Sequence, residues 1–423
     1  MAEIVPFRGL HYNPSRVSVE KVVAPPYDVI SPAYKEELYS LSPYNVVRLI
    51  LGKEEDPYKE AATYLASWQQ EGILTRDGSP SIYLLSQSFK VGDGFTNQRF
   101  GFIGACRLEE FSKGIILPHE KTHSKPKEDR FKLMQATNTN FSQIFALYSD
   151  LDGEVDALLK RVMSTPPLVE VLFETVMNRI WRVGGRAIVD GIATEMKGKS
   201  VLIADGHHRY ETALAYRDMI RLKTPSFTGT EPFNFTMMFL TNMDAQGLVI
   251  FPTHRVVHGL PTLDPAKFQM QLSRHFMIEA VSSTEQLLST LAPKQEYAFG
   301  VAMKTGMFVI DLKSKELLNE LIETSIPPEV RGLDVTLLHS HIIGSLLGVT
   351  PRSQELKENL DYVKEATEAL EAVKKGAAQV AFILNPTRIS QVRNVARTGH
   401  TMPQKSTYFY PKLLSGLVMN KLD

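Results

Sequence analysis

The sequence predicts an α+β, or mixed α/β, protein built from more than one domain. Three observations carry this expectation: a length of 423 residues, strand-like runs that include a glycine-turned hairpin, and separate helical periodicities between them. At roughly 100–200 residues per domain the length corresponds to about two or three domains. A hairpin among interleaved helices argues against a simple doubly wound sheet. Hydrophobic residues at 43% and charged residues at 22% suit a folded globular chain and exclude general disorder. Lys plus Arg equals Asp plus Glu at 47 each, which disfavours a diffuse, charge-driven hold on nucleic acid or on an acidic membrane. Any anion site must therefore be local. Cys106 stands alone and cannot form an intrachain disulfide. Glu3, Pro6 and Arg8 interrupt Met1–Leu10, so no signal-peptide core is read there, and no apolar run approaches a membrane span. A cytoplasmic protein is expected.

Taken in order, Val22-Val23-Ala24-Pro25-Pro26-Tyr27-Asp28-Val29-Ile30 is an apolar run stopped by two prolines, which hold Asp28 on a stiff loop. Asp56-Pro57 starts a helix with Tyr58, Ala61, Leu65 and Trp68 on one face and Gly72 as its stop. Ser81–Lys90 and Gln98–Leu108 flank Gly92-Asp93-Gly94 and predict a β-hairpin. Cys106, inside the second of these runs, reads as a packed residue rather than a nucleophile. Leu117–Arg130 holds almost nothing a core could use and reads as a polar loop. Val201–Ala204 predicts a buried strand and Tyr210–Ile220 a helix, with Asp205–Arg209 at their junction. Phe235–Leu240 and Leu248–Phe251 are further strands, the second closed by Pro252-Thr253-His254-Arg255.

A boundary near Gly259–Pro265 divides residues 1–260, the expected catalytic region, from an α/β region over 261–423 whose tail packs back on the core. There Gln271–Leu291, Lys315–Glu323, Val335–Leu347 and Gln354–Lys375 read as helices, and Tyr297–Met303 and Gln379–Leu384 as strands. Leu356, Leu360, Val363, Ala366, Leu370 and Val373 give the last helix its rhythm, ending at Gly376.

The strongest chemical signal is Ala204-Asp205-Gly206-His207-His208-Arg209-Tyr210. A strand that turns through glycine into a helix leaves unpaired N–H groups and the positive end of the helix dipole aimed at one point. His207, His208 and Arg209 add donors there, which is chemistry for a phosphate. Asp205 opposes an anion unless it acts as a base, binds a metal or aligns a hydroxyl. The competing structural explanation makes Asp205 an N-cap and His-His-Arg a solvated first turn. Zinc fits poorly, because His119, His123, His207 and His208 offer neither a Cys partner nor a His-Glu-x-x-His spacing. Mg2+ held mainly by nucleotide phosphates needs one or two carboxylates, for which Asp205 suffices. Glu120, Lys121 and Arg130 in the polar segment belong either to a solvated loop or to a lid that closes over phosphates. Arg388, Arg393, Arg397, His400, Lys405, Ser406 and Thr407 form a second basic stretch, followed by Tyr408-Phe409-Tyr410-Pro411 as an anchor for the tail. No Walker A, Rossmann, protein-kinase or Gly-x-Ser-x-Gly signature occurs.

Several blocks resemble a bacterial and archaeal domain-of-unknown-function family, the one numbered ten-fifteen. They are Pro6-Phe7-Arg8-Gly9-Leu10, Val23–Ile30, His119-Glu120-Lys121-Thr122, Asp205–Ala213 and Met402–Lys412, which run from one end of the chain to the other. The Asp-Gly-His-His-Arg segment is also similar to the nucleotide-binding motif of the ParB and sulfiredoxin-like superfamily, which includes free-serine kinases that use ADP or ATP. That resemblance implies a ParB/sulfiredoxin-like nucleotide-binding core. Gly206, His207, His208 and Arg209 would hold phosphates of ATP or ADP, Asp205 would lie at the reaction centre with Mg2+, and Asp28 would take the acceptor's hydroxyl proton. Sulfiredoxin chemistry needs a cysteine where this chain has histidine, and ParB-type action on DNA needs a helical DNA-binding region that the sequence does not present. The expectation is thus a phosphotransferase acting on the hydroxyl of a small metabolite, best guessed as free L-serine. A non-catalytic nucleotide sensor and a phosphohydrolase are the alternatives.

Overall fold

The computed structural model describes residues 1–92, 94–120, 124–224 and 226–423. The protein is mixed α/β, and its chain divides into two units. The described residues of Met1–Pro118, Thr122–Leu248 and Pro411–Asp423 form the first, and those of His119–Lys121 and Val249–Tyr410 the second.

The first unit is organised on a nine-stranded sheet in the order Ile116–Leu117, Val201–Asp205, Ile144–Tyr148, Phe235–Asn242, Thr96–Arg107, Ile82–Lys90, Val176–Val183, Val169–Phe173, with Ile4–Val5 paired beside Thr96–Arg107. Every residue of Phe235–Asn242 is buried, as befits a central strand covered on both faces. The expected hairpin is present, with Ile82–Lys90 and Thr96–Arg107 in register from Tyr83 opposite Ile103 to Lys90 opposite Thr96. Leu84, Phe102, Tyr148, Trp181, Ile203 and Met238 belong to the core on this sheet. A second core gathers Leu10, Tyr12, Leu65, Trp68, Phe141 and Met419. The Pro57–Gln70 helix contributes Ala61, Leu65 and Trp68 to burial, and its Asp56 side chain accepts from the Lys59 N–H as an N-cap. Beside this core runs a four-stranded sheet in the order Leu74–Arg76, Gly9–Tyr12, Met419–Lys421, Thr139–Asn140.

The polar stretch before Arg130 is not wholly a loop. Ser124–Thr137 is a helix, and the sequence hid it because its apolar face is supplied late, by Leu133 and Met134. Exposed Lys132 and Glu128 pair four residues apart on its solvent side.

The second unit carries a six-stranded sheet in the order Phe276–Val281, Gly306–Leu312, Ala298–Met303, Val380–Leu384, His254–Val257, Leu360–Val363. Three expectations are corrected here. Gln271–Leu291 is not one helix: the Pro265–His275 helix gives way to the Phe276–Val281 strand, and Ser283 then caps a new helix at Thr284–Leu291. Gln354–Lys375 likewise contains the Leu360–Val363 strand, because Lys357 takes a left-handed φ of 56° that ends the Pro351–Leu356 helix. Leucines on a helical rhythm simply continued across that break. Pro252-Thr253 does follow the Val249–Phe251 strand, but His254 and Arg255 open a buried strand rather than close one. Among the described residues no helix is long and apolar enough to cross a membrane.

Candidate functional site

The Val201–Asp205 strand runs antiparallel to Ile144–Tyr148, and its register shifts so that Ile203 faces Ala146 while Asp205 faces Phe145. This irregularity re-aims the last residue of the strand. Gly206 follows with φ +99° and is the N-cap of the His207–Lys223 helix. The position favours glycine, since L side chains avoid that φ. Asp205 is therefore not the cap, and no side chain satisfies the first-turn N–H groups from the cap position. They sit at the positive end of a 17-residue helix.

Asp205 Oδ2 accepts from Lys412 Nζ at 2.9 Å, with the two side chains 21% and 15% exposed. Lys412 is delivered by its own backbone: Arg99 Nη2 donates to Pro411 O at 2.5 Å and Gln87 Nε2 to Lys412 O at 3.2 Å. Arg99 is itself 1% exposed and lies 4.5 Å over the Phe145 ring, and burial pulls its pKa down to about 9. His207 is buried and His208 half-buried. Arg209 folds back under the turn, where Nη1 donates to Gln143 O at 2.6 Å and to Ser142 Oγ at 3.2 Å. Its Nε is buried and has no hydrogen-bond partner.

A cavity of about 60 Å³ opens beside this turn, lined among others by Tyr27, Arg130, Asn140, Ser142, Arg209 and Thr212. That is room for a few waters or one phosphoryl group. The Arg130 guanidinium lies 4.3 Å over the Tyr27 ring, and its Nε donates to Asp129 Oδ2 at 2.8 Å. Burial first, and the nearby Asp28 and Asp205 carboxylates after it, raise the Tyr27 phenol pKa, while Arg209 and Arg130 oppose them. All four charges thus act on one hydroxyl. The Ser124–Thr137 helix docks on the His207–Lys223 helix through Lys127 Nζ to Glu211 Oε2 at 2.5 Å and Thr212 Oγ1 to Lys127 O at 3.5 Å.

Of the residues singled out in the sequence, Asp205, Gly206, His207, His208 and Arg209 share the turn, Arg130 and Arg209 line the cavity, and Asp28 is exposed next to Tyr27. Arg130 sits in a helix and against Tyr27, so it is not a residue of a free loop. Glu120 belongs to the second unit, where its Oε1 accepts from the Lys405 N–H at 3.2 Å. Lys121 and His123 lie outside the described residues. Arg388–Thr407 is part of the second unit, with Arg388 paired to Glu296 and Ile389–Arg397 forming a helix. No group of three His, Cys, Asp or Glu among the described residues is placed to hold a metal ion. The sequence had pointed past three members of the site. Lys412 closes the tail block whose aromatic residues read as an anchor, Tyr27 precedes the acid that drew attention, and Ser142 sits in a stretch with no motif at all. Chemically, the turn offers oriented N–H donors and two guanidinium groups to an oxyanion, beside a carboxylate already partnered by an ammonium.

A family model described as "Protein of unknown function (DUF1015)" matches residues 4–336. No curated protein matches the chain. Among solved structures, a conserved hypothetical protein from Pyrococcus furiosus is similar at 13% identity and TM-score 0.34, covering 72% of this chain and 90% of that one. A free serine kinase in complex with AMP is similar at 13% identity and TM-score 0.33, covering 71% and 85%. SbnI with a C-terminal truncation, from Staphylococcus aureus, is similar at 10% identity and TM-score 0.37, covering 74% and 85%. Likeness this weak assigns neither site nor reaction.

Proposed function

The chain belongs to the DUF1015 family, whose description names no reaction, and on that footing we propose that it is a nucleotide-dependent phosphotransferase centred on the Asp205–Arg209 turn. The observation that carries the proposal is the combination at that turn of a left-handed Gly206, an uncapped helix start and a buried Arg209 Nε without a partner. A buried donor left unmade is costly, and an anion at the turn would satisfy it. The Gly206–Arg209 backbone and the Arg209, His207 and His208 side chains hold a phosphoryl group of ATP or ADP, with Arg130 also lining the cavity. Asp205 takes the reaction-centre role, and Lys412 holds its carboxylate in place. Asp28, exposed beside Tyr27, receives the acceptor's proton. The turn supplies a single carboxylate, which fits a Mg2+ held mainly by nucleotide phosphates and not an all-protein metal site. Such an ion supplies charge neutralisation between phosphates. The acceptor is the hydroxyl of a small metabolite, with free L-serine the first to test.

A second reading, a nucleotide-sensing module without turnover, is favoured by one observation: Asp205 is already engaged by Lys412. Incubation with phosphate-labelled ATP or ADP and pooled hydroxylated metabolites, L-serine included, separates the two. A labelled phosphometabolite that disappears in Asp205→Asn supports the transferase. Tight binding in calorimetry without product supports the sensor, and neither binding nor turnover overturns the phosphate assignment.

A further inference from the structure

The Pro6-Phe7-Arg8-Gly9 block takes no part in the phosphate turn, yet its backbone is firmly built. Phe7 exchanges both backbone hydrogen bonds with Ser81, at 3.0 and 2.9 Å. The Gly9 N–H donates to the Tyr83 hydroxyl at 2.7 Å, and a Cβ on Gly9 would lie 2.3 Å from that oxygen. Tyr83 in turn donates to the Asp77 carboxylate, and Asp77 O accepts from Arg8 Nε at 2.8 Å. The whole relay holds the Arg8 guanidinium by one edge.

That edge is set at a cavity of about 370 Å³, within the range of roughly 300–1,000 Å³ usual for small-molecule sites. Buried Phe7 and Phe235 supply aromatic wall, with Pro6 and Pro232 beside them and the in-register pair Val5 and Ala105 behind. Its charged lining is unbalanced. Glu3 is engaged by Arg107, whose Nη2 donates to Glu3 Oε1 at 2.9 Å, and this hydrogen bond holds the Glu3 carboxyl below its usual pKa. That leaves three cations, Arg8, Arg76 and Lys421, facing Asp423, whose side chain and main-chain O both pair with Arg76. Asp423 shows the kind of group to which these cations donate: Oδ1 accepts from Arg76 Nη1 at 2.5 Å and Oδ2 pairs with Lys421 Nζ at 2.6 Å. Arg8 has no carboxylate partner among the described residues.

We propose that this cavity is a second binding site, separate from the phosphate turn, for a small carboxylate on an apolar ring. The ring lies against Phe7 and Phe235, and the carboxylate pairs with the free edge of the Arg8 guanidinium, whose planar fork suits two carboxylate oxygens. Phenylacetate is the probe, followed by ligand-observed NMR and calorimetry on the full chain. It should bind, and at least tenfold less tightly to Arg8→Gln. The uncharged phenylacetamide should be at least tenfold weaker on the wild-type protein. Thr230→Trp, a substitution on an exposed rim residue, should fill the space and abolish binding while leaving nucleotide affinity unchanged. The proposal is overturned if millimolar phenylacetate does not bind, if Arg8→Gln and Thr230→Trp bind it as the wild type does, or if inorganic phosphate binds there as tightly as the ring compound.

Discussion

Replacing Lys412 by Met tests whether the tail truly governs Asp205. At 2.9 Å, and with an effective dielectric of about 20, the gross attraction between the two charges is about 6 kcal/mol. Desolvation and side-chain ordering cancel much of it, so a charge-assisted bond of this kind nets about 1.5–3 kcal/mol. Both side chains are less than a quarter exposed, at 15% and 21%, so solvent screening does not reduce this to the level of a surface pair. The backbone clamps from Arg99 and Gln87 survive the substitution, which confines the loss to the ammonium. The readout is selective for the right unit. The two tryptophans of the sequence, Trp68 and Trp181, are both buried in the first unit, so urea unfolding followed by tryptophan fluorescence reports on it alone. Measuring wild type, Lys412→Met, Asp205→Asn and the double variant gives a coupling energy, expected at about 1.5–3 kcal/mol. Additivity to within about 0.5 kcal/mol would refute the reasoning and leave Lys412 a bystander.

Arg209→Ala should weaken nucleotide binding by about 1–3 kcal/mol in calorimetry, and Arg209→Lys should not restore it, because an ammonium that replaces Nη1 at Gln143 O and Ser142 Oγ supplies no donor in place of Nε. Equal affinity in a folded Arg209→Ala protein removes it from the site. Gly206→Ala should destabilise the first unit by about 1–3 kcal/mol through its φ of +99°, read as a lower urea midpoint, and an unshifted midpoint contradicts the assigned turn. In the second unit, burial depresses the His254 pKa to about 4, with Arg255 adding to it, so the neutral ring is the folded form. The unfolded chain then binds the extra proton between about pH 6.5 and 4, and stability is full above that window and lost as pH falls through it. Because His254 Nδ1 accepts from the Leu384 N–H at 3.2 Å, hydrogen exchange at Leu384 should accelerate over the same window, after correction for intrinsic rates, and a flat profile would contradict this. Burial pushes the Cys106 thiol up to about 12, so it should resist a thiol reagent at pH 8 until denaturant is added, and rapid labelling of the native protein would count against its packed position.

How far the sequence led depended on how local the cause was. Asp56-Pro57 specifies its helix start with the cap and the first residue alone, and the short glycine-bearing stretch between Lys90 and Thr96 specifies a hairpin. The phosphate turn was legible for the same reason, since strand, glycine and helix follow one another in sequence. Lys412 was not, because its meaning comes from Arg99 and Gln87, more than three hundred residues away in the chain. The short strands Phe276–Val281 and Leu360–Val363 were lost inside helical rhythms because sheet partners, not period, decide their state. The Ser124–Thr137 helix failed for the opposite reason: polar residues filled its first turns, and its packing partner, the His207–Lys223 helix, lies far ahead in sequence.

The four-stranded sheet places Met419–Lys421 between Gly9–Tyr12 and Thr139–Asn140, interior rather than at an edge. During synthesis, then, the strands on either side of it wait without their shared neighbour until Met419–Lys421 has left the ribosome. Asp205 meanwhile lacks its ammonium partner for as long as Lys412 is untranslated. Assembly of the phosphate turn is thereby tied to the arrival of Lys412, and a nascent fragment carries every residue from Asp205 to Arg209 before it carries a finished site. A ribosome stalled ahead of residue 411 would hold a molecule with its second unit's sequence complete and its first still open.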